Sequence, residues 1–201
     1  YWISSMAHRM PASNPTQYKA REAALFYTTT DRAEALRLLR DAGARYIWFD
    51  HRLPMRSAGF NHFGAMLEWA ERRQDDYFIT LIRRGPDGDK PLVFFKPAYY
   101  QSVLGRVYLH RAKAFTPRDS TSVIVAKDSV ITSETIYTRY EDAVEAVRQT
   151  PGAMLLGHDA AVSCVPLDPW PEFEQVYLSP IRIKERDGEP VGAVDLYEVR
   201  Q

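Results

Sequence analysis

The apolar positions of this chain fall into short helical stripes separated by β-branched and aromatic runs. Residues 1–17 carry no periodicity, and Met10-Pro11 and Asn14-Pro15 read as extended or turn backbone, because proline disfavours the α region in the residue before it. From Gln17 to Tyr27 the composition favours a helix. Asp31 with Glu34 three residues on is a capping-box pattern. Ala35, Leu36, Leu39 and Ala42 supply a stripe, and Gly43 stands where a C-cap glycine belongs. The spacing predicts a helix over 31–42. Arg45 to Asp50 (RYIWFD) is a strand run, and helix, glycine, strand is an α/β pattern.

After an irregular loop over 51–60, Asn61 to Arg73 returns to helical spacing, with Phe63, Met66, Leu67 and Trp69-Ala70 toward the core. Tyr77 to Arg83 and Leu92 to Phe95 flank Gly85-Pro86-Asp87-Gly88 and predict a hairpin. Pro97 suits the first turn of a helix running to Arg111, with Tyr100, Leu104 and Val107 on one face. The last third is richer in strands: 123–126, 133–137, 154–156, 176–182 and 191–199. A helix over 140–149 turns Ala143, Val144 and Val147 inward and ends at Thr150-Pro151-Gly152. Arg186-Asp187-Gly188-Glu189 is a turn, so the chain closes with a hairpin. The predicted fold is mixed α/β (α+β): a helical core packed with short strands and a strand-rich C-terminal third. There is no repeat, low-complexity tract or linker, so 1–201 reads as a single domain.

Composition narrows the function classes. With 45% hydrophobic residues, a chain of 201 buries roughly 70% of its unfolded surface, so most of it folds. Lys plus Arg equals Asp plus Glu, 26 against 26, which removes the electrostatic case for nucleic acid. Arg72-Arg73 and Arg83-Arg84 read as solvated faces. Cys164 is the only cysteine, so no disulfide closes within the chain and no cysteine metal cage is possible. It reads as a small buried residue. No apolar run approaches the roughly 18 residues that span a bilayer. The chain starts at Tyr1-Trp2-Ile3 rather than Met, with no signal pattern, which points to a fragment of a longer protein.

Candidate chemistry is sparse. His8, His51, His62, His110 and His158 form no His-x-x-x-His or His-x-His pair, so no metal site is expected from this chain. Asp50-His51 and His158-Asp159 are adjacent, and adjacent strand residues point to opposite faces. No Gly-x-Ser-x-Gly elbow or phosphate-cradling glycine loop is present.

Three stretches in order carry a resemblance. The first is Tyr1-Trp2-Ile3-Ser4, then Arg9-Met10-Pro11 and Ser13-Asn14-Pro15-Thr16-Gln17. The second is Arg45 to Asp50 followed by Asn61-His62-Phe63-Gly64-Ala65-Met66-Leu67-Glu68-Trp69-Ala70. The third is Tyr99-Tyr100-Gln101-Ser102-Val103-Leu104-Gly105-Arg106-Val107-Tyr108. Together with the terminal 191–199 strand, they resemble the C-terminal domain of oligosaccharyltransferase catalytic subunits, the archaeal AglB and bacterial PglB family. The first resembles the segment after that family's Trp-Trp-Asp-Tyr-Gly signature, so residues 1–17 would be the lead-in that follows it.

The resemblance implies a membrane enzyme, with this domain on the extracytoplasmic side. Such enzymes transfer an oligosaccharide from a lipid-linked donor to Asn in Asn-x-Ser/Thr of an acceptor polypeptide. A divalent Mn or Mg ion would be held by acidic residues outside this chain. No catalytic or metal-binding residue is therefore expected here, and the fragment alone should be inactive. The implied acceptor-peptide pocket falls on Gly59, His62 and Met66, beside Tyr1 and Trp2. Met66 matches the family's Met/Ile position; Gly59 and His62 depart from its Asp or Met and its Lys or Ile. Met66 suits a core position equally. The alternative reading is a non-catalytic extracytoplasmic binding or scaffolding domain of an unrelated membrane protein. Asn14-Pro15-Thr16 has proline in the middle and is not an acceptor.

Overall fold

The computed structural model describes residues 19–54, 56–57, 60–186 and 189–200. Helix α1 (Ala20–Thr28) and helix α2 (Arg32–Ala42) lead to strand β1 (Tyr46–Asp50). Asp31 caps α2 by accepting from the amides of Ala33 at 2.7 Å and Glu34 at 3.2 Å, and Gly43 ends it in the left-handed region at φ 61°. The second half of the expected capping box is made differently. The Asp31 amide donates to the Thr29 hydroxyl oxygen at 3.2 Å, and the Glu34 carboxylate accepts from that hydroxyl instead.

The segment expected as an irregular loop pairs two short strands, β2 (Arg56–Ser57) and β3 (Phe60–Asn61), and runs straight into α3 (His62–Trp69). This helix stops earlier than its spacing predicts. Glu71 turns left-handed at φ 56°, the Glu71 amide donates to the Glu68 carbonyl at 3.0 Å, and the Arg72 amide donates to the Leu67 carbonyl at 2.8 Å. That closure usually uses glycine, so the residue types hid it. Trp69, expected inward, is 44% exposed.

Strands β4 (Phe78–Arg83), β5 (Lys90–Phe95), β6 (Thr121–Lys127), β7 (Val130–Tyr137) and β8 (Ala153–Leu156) form one sheet in the order β5-β4-β7-β6-β8. The strands expected at 123–126 and 133–137 are longer and join as the β6–β7 hairpin. Asp128 and Ser129 both take positive φ, 51° and 63°, and make a tight turn without the glycine signal. The edges of the sheet meet: Phe95 and Gly157 exchange two backbone hydrogen bonds of 2.8 Å each. That bridge curls the five strands into a small barrel. Leu81, Phe94, Ile124 and Leu156 fill its interior, backed by Ile79, Leu92, Ala126, Ile131 and Met154. Helix α5 (Tyr140–Gln149), between β7 and β8, packs on strands β6 to β8 with Ala143 fully buried.

The single helix expected over 97–111 is broken. Helix α4 (Pro97–Gln101) ends where Ser102 adopts extended backbone, and a π-helical turn follows over Leu104–Leu109. The Ser102 hydroxyl donates to the Tyr99 carbonyl at 2.6 Å and accepts from the Gly105 amide at 3.1 Å. A side chain at Gly105 would press into the carbonyl oxygens of Tyr99 and Tyr100, so the turn requires glycine there.

The chain closes, as expected, on a hairpin, though its strands are divided. Strands β9 (Phe173–Leu178) and β10 (Arg182–Arg186) return as β11 (Glu189–Gly192) and β12 (Val194–Val199). Strand β12 lies between β1 and β9 in a three-stranded antiparallel sheet. Its inner face, with Ile47, Phe49, Tyr197, Val199 and Phe173, joins α1, α2, α3 and the 99–108 segment in the larger core. The strand-rich part thus begins at β4, well before the last third.

Candidate functional site

The expected pocket centres on α3. Gly59, Tyr1 and Trp2 lie outside the described residues. His62 and Met66 stand one turn apart on the same helix face, and their burial differs. His62, the first residue of α3, is half-buried, while Met66 is 6% exposed within the larger core. Met66 therefore supports the helix from below, and the accessible side of the pair is His62.

The position of α3 is set by its neighbours. Phe63 meets Tyr77 edge-on at 5.5 Å and Tyr99 at 5.1 Å. The Tyr77 hydroxyl donates to the Thr28 carbonyl at 3.0 Å, at the end of α1. Beyond the helix, the Arg72 guanidinium donates to Glu34 at 3.2 Å and links α3 to α2. Arg72 was expected on a solvated face. It is half-buried instead, because the turn at Glu71 directs it at the carboxylate.

The other expected chemistry disperses. His51 lies in the turn after β1, not in the strand, so its Nδ1 is 3.3 Å from Asp50 rather than on the opposite face. Burial alone would raise the Asp50 pKa, but hydrogen bonds and charge from Arg52 hold it below the usual carboxylate range. His158 shares the Glu134 carboxylate with Arg83 at one end of the barrel, so Arg83 is ion-paired as well as solvated. The sequence held no signal for this set, since β4 and β7 meet through a non-sequential strand pairing and the residue after Gly157 joins them only through barrel closure. His110 is buried against Phe115 at 4.8 Å. Cys164 is buried as expected, and burial pushes its thiol up to about 12. Among the described residues no three His, Cys, Asp or Glu side chains are grouped to hold a metal ion. Among the same residues, no helix is long and apolar enough to cross a membrane.

No family model matches the chain. A curated relative, the dolichyl-monophosphooligosaccharide–protein glycotransferase AglB of Haloferax volcanii, is 23% identical over 62% of this chain and 13% of its own length. Among solved structures, the apo oligosaccharyltransferase of Archaeoglobus fulgidus superposes over 98% of this chain and 26% of its own, with a TM-score of 0.52 at 14% identity. The chain is thus similar in sequence to an archaeal AglB and shares its fold with part of an archaeal oligosaccharyltransferase. The Archaeoglobus fulgidus enzyme tethered to an acceptor peptide containing an NVT sequon aligns over 63% of this chain and 17% of its own, at 20% identity and a TM-score of 0.44. The chain spans about an eighth of the curated AglB relative. The third AglB-like stretch, 99–108, is the broken helix described above. In it the Arg106 guanidinium lies 5.2 Å from the Trp170 ring and donates to the Asp168 carbonyl at 2.8 Å. Arg106 is thus half-buried and held in place rather than a free surface group.

Proposed function

We propose that this chain is the acceptor-reading part of an oligosaccharyltransferase. The full-length enzyme would transfer a lipid-linked oligosaccharide to Asn in Asn-x-Ser/Thr of a polypeptide. It would be a membrane protein, with this domain on the extracytoplasmic side. The observation that carries the reading is His62. It opens α3 at the position matched to the family's pocket helix, half-buried and reachable, while Phe63, Met66 and Leu67 lock the helix into the core beneath it. The half-buried imidazole would form a polar wall beside the acceptor's Ser or Thr. A site built to hydrogen-bond a hydroxyl discriminates against residues that lack it, because its own polar groups would be left unpaired. Met66 acts beneath the site as packing. A divalent Mn or Mg ion would be held outside this chain.

The test is His62→Ala in the full-length enzyme, with KM measured separately for acceptor peptide and lipid-linked donor. Acceptor KM is expected to rise about three- to tenfold, the worth of one net hydrogen bond, with donor KM unchanged. Unchanged acceptor KM would remove His62 from the site. The fragment alone is expected to show no transfer.

A further inference from the structure

We propose that Tyr99 is a positioning residue for the acceptor-binding end of α3, an inference that rests on the reading above. Its side chain is 1% exposed and grips both ends of the segment that delivers His62. At the entrance, its hydroxyl donates to the buried Pro54 carbonyl at 3.3 Å. At the exit, its ring meets Phe63, the second residue of α3, edge-on at 5.1 Å. One rigid group therefore touches the chain at Pro54 and again at Phe63, the residue after His62.

The third side of Tyr99 faces the barrel. Its ring lies 4.7 Å from that of Phe95, the residue that closes the barrel on Gly157. Tyr99 thus refers the start of α3 to a closed sheet, and a loop end held this way has little freedom to drift. Small displacements of a binding group from its working geometry are costly. Tyr77 offers an internal comparison. It touches the same Phe63 at 5.5 Å, but its hydroxyl goes to Thr28 on α1 and lies against Arg72, beyond the end of α3. Both tyrosines stabilise the fold, and of the two it is Tyr99 that bonds to the chain before α3.

The experiment compares Tyr99→Phe and Tyr77→Phe in the full-length enzyme. Each keeps the aromatic contacts and removes a buried hydrogen bond to a distant carbonyl, and Tyr77→Phe also removes the hydroxyl's contact with Arg72. Tyr99→Phe is expected to raise acceptor-peptide KM about threefold or more, with donor KM and the kcat at saturating acceptor within twofold of wild type. Tyr77→Phe is expected to lower Tm with acceptor KM unchanged. Equal effects of the two variants on acceptor KM, or a Tyr99→Phe enzyme altered only in Tm, would overturn the proposal. His62→Ala run alongside separates the two ideas. If it raises acceptor KM while Tyr99→Phe does not, the functional reading stands and the role of Tyr99 falls. If it leaves acceptor KM unchanged, the His62 site falls and the positioning role falls with it.

Discussion

Replacing Gly157 with alanine drives a methyl group onto the hydroxyl of Tyr100. Gly157 takes no left-handed φ, so space rather than backbone freedom demands glycine. A Cβ there would sit well inside 3.0 Å of the Tyr100 oxygen, and it would stand 3.0 Å from Cζ and 3.1 Å from Cε2. The ring must swing away. The hydrogen bond of 2.7 Å that its hydroxyl donates to the Asp159 carbonyl is then lost. Overpacking costs about 1–3 kcal/mol and the hydrogen bond about 1 kcal/mol, so Gly157→Ala should cost roughly 2–4 kcal/mol. Tyr100→Phe alone should cost about 1 kcal/mol. In the double variant the clashing oxygen is gone, and the methyl needs only a few tenths of an ångström from the ring. The pair should therefore be about 1–2 kcal/mol less destabilised than the sum, within the range for residues in contact. Urea and thermal melts of the four proteins measure this. At about 2–4 °C per kcal/mol for a chain of this size, the coupling is readable in Tm. Strict additivity would refute both the clash and the claim that Gly157 is a glycine for reasons of space.

Two further outcomes follow from buried and paired groups. Burial alone would raise the pKa of Asp50 and of Glu172, but Arg52 and Arg32 respectively outweigh it, and both carboxylates lie below their usual values. Lowered native values mean the stability they contribute is complete above the unfolded values, about 4. It is lost as pH falls through the native values. Urea midpoints should therefore drop below about pH 4, and Arg52→Met with Arg32→Met should flatten that drop; an unchanged slope would discard the pairing. Cys164, with its thiol pushed up to about 12, stays protonated near neutrality. A thiol reagent should label it only as the chain unfolds, and rapid labelling in native buffer would contradict its burial.

What was legible in the sequence was local and carried its own punctuation. Asp31 and Gly43 announced α2, and Gly88, at φ 104°, marked the β4–β5 hairpin. What was not legible were turns made by residues that do not advertise them. Glu71 ends α3 in a conformation that usually signals glycine, and Asp128-Ser129 does the same for β6–β7. The break after Gln101 depends on a serine hydroxyl that satisfies one carbonyl and one amide at once, and no spacing rule encodes that. Barrel closure rests on residues 95 and 157, whose pairing has no local signature. For the site, resemblance placed His62 and Met66 together, and periodicity placed Met66 equally well in the core. Only packing decided that the methionine faces inward.

The aromatic content has a second use besides filling the core. Tyr27, Tyr77, Tyr99, Tyr100 and Tyr108 each donate to a backbone carbonyl far along the chain, at Trp48, Thr28, Pro54, Asp159 and Gly192. Several of those carbonyls lie at ends of elements or in loops, where no ladder satisfies them, and a buried carbonyl without a donor is costly. Tyrosine meets both needs, with an apolar body for the core and a hydroxyl that reaches the backbone beyond it. Three of the five, Tyr99, Tyr100 and Tyr108, come from the broken 97–109 segment. A continuous α-helix would spread those side chains around a regular cylinder. The break at Ser102 and the π-turn re-aim Tyr108 relative to Tyr99 and Tyr100. One segment thereby holds the loop before α3, the barrel seam and the closing hairpin together. On this view the irregular backbone at 102–105 is the part of the fold that relates the barrel to α3, and its departure from helical spacing is what makes that relation possible.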